Sequence, residues 1–337
     1  MIPDRNKNER YTFIAAAICA IAFFAFNFAK LSDKSFWIDE MRTGYAVFCK
    51  SLPELFHYLV LNDPASPLYS LLAYILSHIA GGRPETIRII SLVFGAASIL
   101  AFSAYSAKLV PARATVLSTI LFCLSGCLIY FSLEARVYSA LLFLAISSFI
   151  LTLKASGNKK VSLLLPVCFV AGLYMHLFFI FTICACVLFS VFHGKTINDI
   201  DTKSAMLKTI KSVIAAAAIS IALYLPWIIV IFKNSQNPER LPGPALSFLM
   251  KMFFLFAGII TGNAYAPTGI VSMAAFAGIA LLITGLYLLR TNYPASFKPV
   301  FIAIFAPFVL MLLSYLIFSN LYDMFHFRYV ICILPPI

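Results

Sequence analysis

Residues 11–29, Y-T-F-I-A-A-A-I-C-A-I-A-F-F-A-F-N-F-A, form an apolar run of the length that a helix needs to cross a bilayer. The rest of the chain has a similar character, because 62% of its 337 residues are hydrophobic and only 11% are charged. The apolar runs have full helical lengths, which favours a helix bundle over a barrel of short alternating strands. The sequence therefore predicts an all-α, polytopic membrane protein.

Along the whole chain, the hydropathy pattern predicts about nine complete spans and a partial one. They are expected at residues 11–29, 85–107, 114–133, 137–153, 161–192 (two short helices that turn near residues 174–176), 212–232, 268–289 and 299–318. Residues 30–84 and 233–267 are expected to be outer loops, with interfacial helices at 67–80 and 248–263. We treat residues 1–337 as one module, and the chain stops inside what reads as a new span, which leaves further C-terminal spans open.

The formal net charge of +12 is large for so apolar a chain. In a membrane protein such an excess is typical of cytoplasmic loops, and also of sites for anionic substrates or lipid head groups. Nucleic acid is not an expected partner, because no basic run is interleaved with aromatic residues. We expect a multi-pass protein in contact with membrane lipids, in the plasma (inner) membrane if the chain is bacterial.

A polar motif follows the first apolar run at residues 35–42, S-F-W-I-D-E-M-R. Asp39 and Glu40 are adjacent carboxylates, and Arg42 follows two residues later. Two acids and a guanidinium at the mouth of a membrane protein can form a site for proton abstraction and anion binding. The alternative is a solvated loop that merely carries charge.

The predicted topology collects further polar side chains on the same side of the membrane as this motif. They are Asp39, Glu40, Arg42, Asp63, Arg88, Glu134, Arg136, His176, Arg240, His326 and Arg328. Charged groups at membrane edges are costly, so their clustering indicates a site. Simpler interpretations stay open for single members: a helix-start signal for Asp63, an ion pair at a helix end for Glu134 and Arg136, and a hydrogen-bonded buried side chain for His176.

Five features, in order, resemble the GT-C superfamily of membrane glycosyltransferases. They are W-I-D-E-M-R (37–42), D-P-A-S-P-L-Y (63–69), Arg88 at the start of the next span, F-S-L-E-A-R-V-Y (131–138) and F-R-Y-V (327–330). More narrowly, the set is similar to the group that holds protein O-mannosyltransferases and aminoarabinose-type lipid A transferases. The likeness covers nearly the whole chain but does not name a substrate.

The resemblance implies a sugar donor carried on a polyprenyl phosphate, an acceptor with a hydroxyl group on a protein, lipid or glycan, and a site on the extracytoplasmic face. It implies that Asp39 is the general base and Glu40 its acidic neighbour in catalysis. Phosphate binding is assigned to Arg42, Arg136 and Arg328. Supporting positions are Asp63, Arg88, Glu134, Tyr138 and Tyr329.

Two positions depart from the family pattern. Many relatives carry His or Lys at Ala65 and Pro at Ser66, so a bound metal is in doubt here. A divalent metal is left open, with His176 as its candidate ligand, and no other cofactor is expected. In-line attack assisted by one carboxylate base predicts inversion at the anomeric carbon.

Two other classes of function compete with this hypothesis. A transporter or flippase of lipid-linked or anionic solutes would also need many spans and basic residues, although transporters tend to show repeated halves and midplane sites. We find no internal repeat, and the charges lie at helix ends. A non-catalytic assembly partner of a cell-envelope complex is the third interpretation.

Overall fold

The computed structural model describes residues 5–33, 35–36, 38–155, 159–193, 200–235, 283–288, 290–291, 297 and 301. Throughout this part of the chain the regular secondary structure is helical. The helices are α1 (Arg5–Phe28), α2 (Ile38–Val47), α3 (Leu52–Leu61), α4 (Pro67–Ala80), α5 (Pro84–Ser106), α6 (Ala112–Cys123), α7 (Gly126–Ser132), α8 (Tyr138–Lys154), α9 (Lys159–Met175), α10 (Phe179–His193) and α11 (Ile200–Ser235). The all-α prediction is confirmed for these residues.

Within the described ranges, three helices are long and apolar enough to cross a membrane: Glu9–Phe28, Pro84–Ser106 and Met206–Lys233. A fourth is obtained if α6 and α7, which meet at a bend of 52°, count as one span. Helices α8, α9 and α10 are apolar but shorter, at 17, 17 and 15 residues. The expectation of about nine spans therefore stays a prediction. Most of the stretches 233–267, 268–289 and 299–318, with the features expected there, lies outside the described residues.

Several predicted boundaries agree with the structure. Helix α4 occupies the stretch 67–80, begins with a proline at its first position and ends at Gly81, whose φ of 90° lies in the left-handed region that glycine adopts readily. The break expected near residues 174–176 is present, because α9 ends at Met175 and α10 begins at Phe179. Both predictions rest on residues that interrupt an apolar run, and local sequence patterns identify such interruptions well.

The connection between α1 and α5, which we call the first loop (residues 29–83), contains two helices that the sequence reading did not predict. Helix α2 packs against α4, and α3 packs against α11 and α2. Ser51 starts α3 with its side chain, which accepts a hydrogen bond from the Glu54 amide at 3.4 Å, and Glu54 accepts one from the Lys50 amide at 2.8 Å. The first bond satisfies an amide that a helix start leaves unpaired, and the second ties the residue before the cap to the first turn of α3.

Helix α5 lies at the centre of the bundle. It packs along α1 and α8 and also contacts α4, α6 and α7, while α9 packs on α8 and α11. The core between these helices is built of large buried side chains, among them Phe131, Phe149, Phe169 and Phe189. Helix α1 ends, α5 begins, and both the α7–α8 and the α9–α10 connections turn at the same end of the bundle. Among the described residues, this end holds the buried charged side chains of Glu40, Asp63, Arg88 and Glu134.

Gly172 allows the turn between α9 and α10 to close. A Cβ atom at this position would overlap the ring of Phe179. We expect Gly172→Ala to destabilise the protein by roughly 1–3 kcal/mol, because the ring or the backbone must shift. Thermal unfolding in detergent measures the effect. Gly285→Ala is the matched control, since no described atom lies within 4 Å of its added Cβ. Equal melting temperatures for the two variants would contradict this packing.

Candidate functional site

A buried ion pair joins the first loop to the bundle. Nε of Arg88 donates to Oε1 of Glu40 at 2.9 Å, and Nη2 donates to Oε2 at 2.8 Å. Both residues are 1% exposed. Such parallel, charge-assisted bonds are among the strongest that proteins make, and they offset the cost of removing two charges from water.

The remaining donors of Arg88 fix the chain that leaves α1. Nη1 donates to the carbonyl of Leu31 at 2.8 Å, and Nη2 also donates to the carbonyl of Ser35 at 3.1 Å. The ring of Phe36 lies against the guanidinium, 5.3 Å from centroid to Cζ. The single side chain of Arg88, in the second turn of α5, therefore orders the residues that lead into α2.

Glu40 also holds the connection between α7 and α8. Its Oε1 atom accepts a hydrogen bond from the amide of Ala135 at 2.6 Å. The next residue, Arg136, returns to α2, because its Nη1 atom donates to the carbonyl of Asp39 at 3.1 Å. The two consecutive acids at the start of α2 are thus bound to two consecutive residues that lie almost a hundred positions later.

Two further hydroxyl groups, those of Ser91 and Tyr69, support the carbonyl of Arg136. The Oγ of Ser91 donates to the Arg136 carbonyl at 2.9 Å, and it lies 2.7 Å from the hydroxyl of Tyr69. Ser91 follows Arg88 by three positions, so both side chains project from one face of α5. Tyr69 belongs to α4. The carbonyl of Arg136 is therefore held by Ser91 of α5, and Tyr69 of α4 in turn contacts that serine.

The side chain of Arg136 is largely buried among acids, at 11% exposed. Its Nη1 atom lies 3.9 Å from Oδ2 of Asp63, which follows α3. Burial by itself would lower the pKa of Arg136, but Tyr138, Asp63 and Asp39 surround the guanidinium and raise it above its ordinary value. Among the described residues, Nε of Arg136 and Oδ2 of Asp63 have no hydrogen-bond partner. A buried cation with an N–H to spare is suited to an anionic ligand.

His176 lies beside this cation, in the turn between α9 and α10. Its Nδ1 atom accepts a hydrogen bond from the amide of Phe178 at 3.2 Å. Burial, followed by the charge of Arg136, lowers the pKa of His176 to about 4. The imidazole is therefore neutral at pH 7, in agreement with the interpretation of a hydrogen-bonded histidine.

The donor groups among the described residues do not form a metal site. In the described part of the chain, no three His, Cys, Asp or Glu side chains come together as a group that could hold an ion. His176, the candidate ligand, lies close to a guanidinium whose charge opposes a second cation. We therefore derive no step through a metal.

The structure brings together most of the predicted site residues. Those at the common end of the bundle are Asp39, Glu40, Asp63, Arg88, Glu134, Arg136, Tyr138 and His176. Arg42 lies on the exposed face of α2, where its carbonyl accepts a bond from the hydroxyl of Tyr58 at 3.1 Å. Arg328 and Tyr329 lie outside the described residues.

Sequence reasoning missed the groups that hold the site. Ser91, Tyr69 and the amide of Ala135 were given no role, although Tyr69 closes the quoted motif at 63–69 and Ser91 follows Arg88 at helical spacing. Trp227 was also missed: its indole N–H donates to the carbonyl of Pro64 at 2.9 Å and ties the segment after Asp63 to α11. Only the i, i+3 relation of Arg88 and Ser91 was visible in the sequence.

Taken together, the described residues form a helical bundle with three or four helices long and apolar enough to cross a membrane, and with a cluster of acids and guanidinium groups at one end. No family model matches the sequence, and no curated protein matches it.

The neutral state of His176 predicts a pH dependence of stability. Its pKa is about 4 in the folded protein and near 6.5 when unfolded, so stability is full above pH 6.5 and declines as the pH falls from 6.5 towards 4. Between pH 7 and pH 5 we expect a loss of roughly 1–2 kcal/mol from this residue. His176→Asn retains an acceptor for the Phe178 amide but does not titrate. Its unfolding in detergent should lose less stability over this interval, and identical losses for both proteins would contradict the assignment.

Proposed function

We propose that this protein is an inverting glycosyltransferase, which moves a sugar from a polyprenyl-phosphate donor to a hydroxyl acceptor on the extracytoplasmic face of a membrane. The ordered motifs that resemble the GT-C superfamily support the proposal, and so does the gathering of most of their polar residues at one end of the bundle. We further propose that the protein has about nine spans, lies in a bacterial inner membrane and carries a site that faces outward.

One observation carries the proposal: a fixed, buried guanidinium lies directly beside carboxylates. The Nη1 atom of Arg136 reaches the Asp39 backbone at 3.1 Å and the Asp63 carboxylate at 3.9 Å, while its Nε atom has no described partner. A phosphate leaving group needs a cation that is already in place when its charge grows. A hydroxyl acceptor needs a carboxylate that takes its proton. The cluster offers a guanidinium 3.9 Å from one carboxylate, that of Asp63, and in contact with the backbone of Asp39, whose carboxylate is the proposed base.

The reaction can be written with these groups. The carboxylate of Asp39 takes the proton of the acceptor hydroxyl as the hydroxyl oxygen attacks the anomeric carbon of the donor. The bond between that carbon and the phosphate oxygen breaks, and its electron pair leaves with the polyprenyl phosphate. Arg136 stabilises the charge that this phosphate gains. Attack from the face opposite to the leaving group inverts the anomeric configuration.

The role of further cations in binding the donor phosphate rests on the resemblance alone. Arg42 and Arg328 are proposed to contact the donor phosphate, with Tyr329 in support. Arg42 lies one helical turn after Asp39 on α2, so its long side chain starts from a neighbouring position. The apolar surfaces of the spanning helices are proposed to hold the prenyl chain.

Loss of the proposed base should abolish transfer. We expect Asp39→Asn to lower the transfer rate by roughly 10²-fold or more, because the acceptor proton then has no carboxylate to receive it. The measurement uses radiolabelled polyprenyl-phosphate sugars and membranes that contain the protein, with a cell extract as acceptor. Asp33→Asn, which alters an exposed acid of the same loop, is the matched control.

The outcomes of this experiment distinguish a glycosyltransferase from a transporter. A product from one donor that is lost in Asp39→Asn and kept in Asp33→Asn supports the proposal and names the sugar. Full transfer by Asp39→Asn would refute the assigned base. If no donor gives product while proteoliposomes show solute flux, the transporter or flippase interpretation takes its place.

Arg136 should be required for binding the phosphate. We expect Arg136→Gln to weaken the binding of a short prenyl monophosphate by roughly 10–100-fold, because charge-assisted bonds to its oxygens are lost. Arg136→Lys keeps the charge but not the planar fork, so an intermediate loss is expected. Binding is measured by calorimetry in detergent, beside Arg83→Gln, which removes an exposed arginine of the first loop. Equal affinities for Arg136→Gln and Arg83→Gln would contradict this role.

A further inference from the structure

We propose that Glu40 is a positioning residue and not a second proton acceptor: locked to Arg88, it sets where Asp39 and Arg136 lie relative to each other. Its importance for sugar transfer rests on the function proposed above. Its coupling to Arg88 and Arg136 rests on the contacts alone.

The carboxylate of Glu40 is fully engaged. Its Oε1 atom accepts bonds from Arg88 Nε and from the Ala135 amide, and its Oε2 atom accepts one from Arg88 Nη2. To take up a proton, this group would have to give up charge-assisted bonds and leave the Arg88 cation buried without its counter-charge. At 1% exposure it is also closed to an acceptor molecule, whereas its neighbour Asp39 is half-buried.

The contacts form a closed ring that contains both proposed functional groups. Glu40 is covalently joined to Asp39, and it binds Ala135, which is covalently joined to Arg136. Arg136 then returns to the Asp39 carbonyl at 3.1 Å. A shift of the Glu40 carboxylate must therefore change the separation of the base from the cation that faces the leaving group. Displacements of about 1 Å at a reacting centre can cost 10²-fold in rate.

Arg88 anchors this ring to the bundle. It projects from the central helix α5 and also binds the carbonyls of Leu31 and Ser35, at 2.8 and 3.1 Å. Because α5 packs against both α1 and α8, the ring is fixed to the most extensively packed part of the fold. Arg88 thus acts through Glu40, and in this proposal it does not contact the donor phosphate.

The test compares Glu40→Gln, Arg88→Gln and the double variant, with Asp33→Asn as control. Glutamine at position 40 retains an oxygen for the Ala135 amide but removes the charge that Arg88 requires. Three properties are measured: the melting temperature in detergent, the affinity for a short prenyl monophosphate, and kcat and KM for transfer with its pH profile. The first two do not depend on the proposed reaction.

We expect each single variant to weaken phosphate binding by roughly tenfold, and the double variant by no more than the worse single variant, because the pair acts as one unit. The acid limb of the kcat profile should keep its midpoint in Glu40→Gln. If a single variant does not fold, rescue of folding by the neutral double variant supports the coupling. A double variant that folds no better than the single variants contradicts it.

Two results would overturn the proposal. Losses that multiply in the double variant would show that Glu40 and Arg88 act independently. A Glu40→Gln protein with unchanged phosphate affinity, a kcat lowered by roughly 10²-fold and a displaced acid limb would make Glu40 a proton acceptor. If the wild type transfers no sugar from any donor, the proposed function fails, while affinity and melting temperature still decide the role of Glu40.

Discussion

The buried pair of Glu40 and Arg88 is the constraint on which the site depends. Two charges that are each 1% exposed cannot be separated without leaving one of them unpaired in a poorly solvated interior. Docking of α2 and docking of the chain after α1 are therefore one event, since both contact the same guanidinium. An apolar contact of equal area would allow small slides, but a two-bond guanidinium–carboxylate pair fixes orientation as well as distance.

This constraint explains why the connection between α7 and α8 can carry a functional arginine. Residues 133–137 lie between two helices and would have freedom as a simple loop. The Ala135 amide is tied to Glu40, and the Arg136 carbonyl is tied to Ser91. The backbone next to the Arg136 side chain is therefore fixed by two different helices. Its guanidinium is held by the bond to the Asp39 carbonyl before any anion arrives.

The sequence predicted the local boundaries of helices better than the long-range contacts between them. The apolar runs, and the residues that interrupt them, located α4 and the break between α9 and α10, because those features depend on neighbouring residues. Helices α2 and α3 were missed, since each has only 10 residues and α2 mixes charged and apolar side chains. The structure brings Asp63, Arg136 and His176 together at one end of the bundle, whereas the side of the membrane on which the predicted topology put them stays a prediction. The bond from Glu40 to Ala135 spans 95 positions, and no local pattern in a single sequence reports such a pairing.

The different environments of the two adjacent acids follow from helix geometry. Consecutive residues on an α-helix point about 100° apart, since there are 3.6 residues in each turn. At the start of α2, this rotation turns Glu40 into the bundle towards Arg88 and leaves Asp39 half-buried at its edge. Two carboxylates of equal chemistry thus meet different solvent and different partners. Replacement of either by the other's type would not exchange their roles, because the helix, and not the side chain, decides which carboxylate faces the guanidinium.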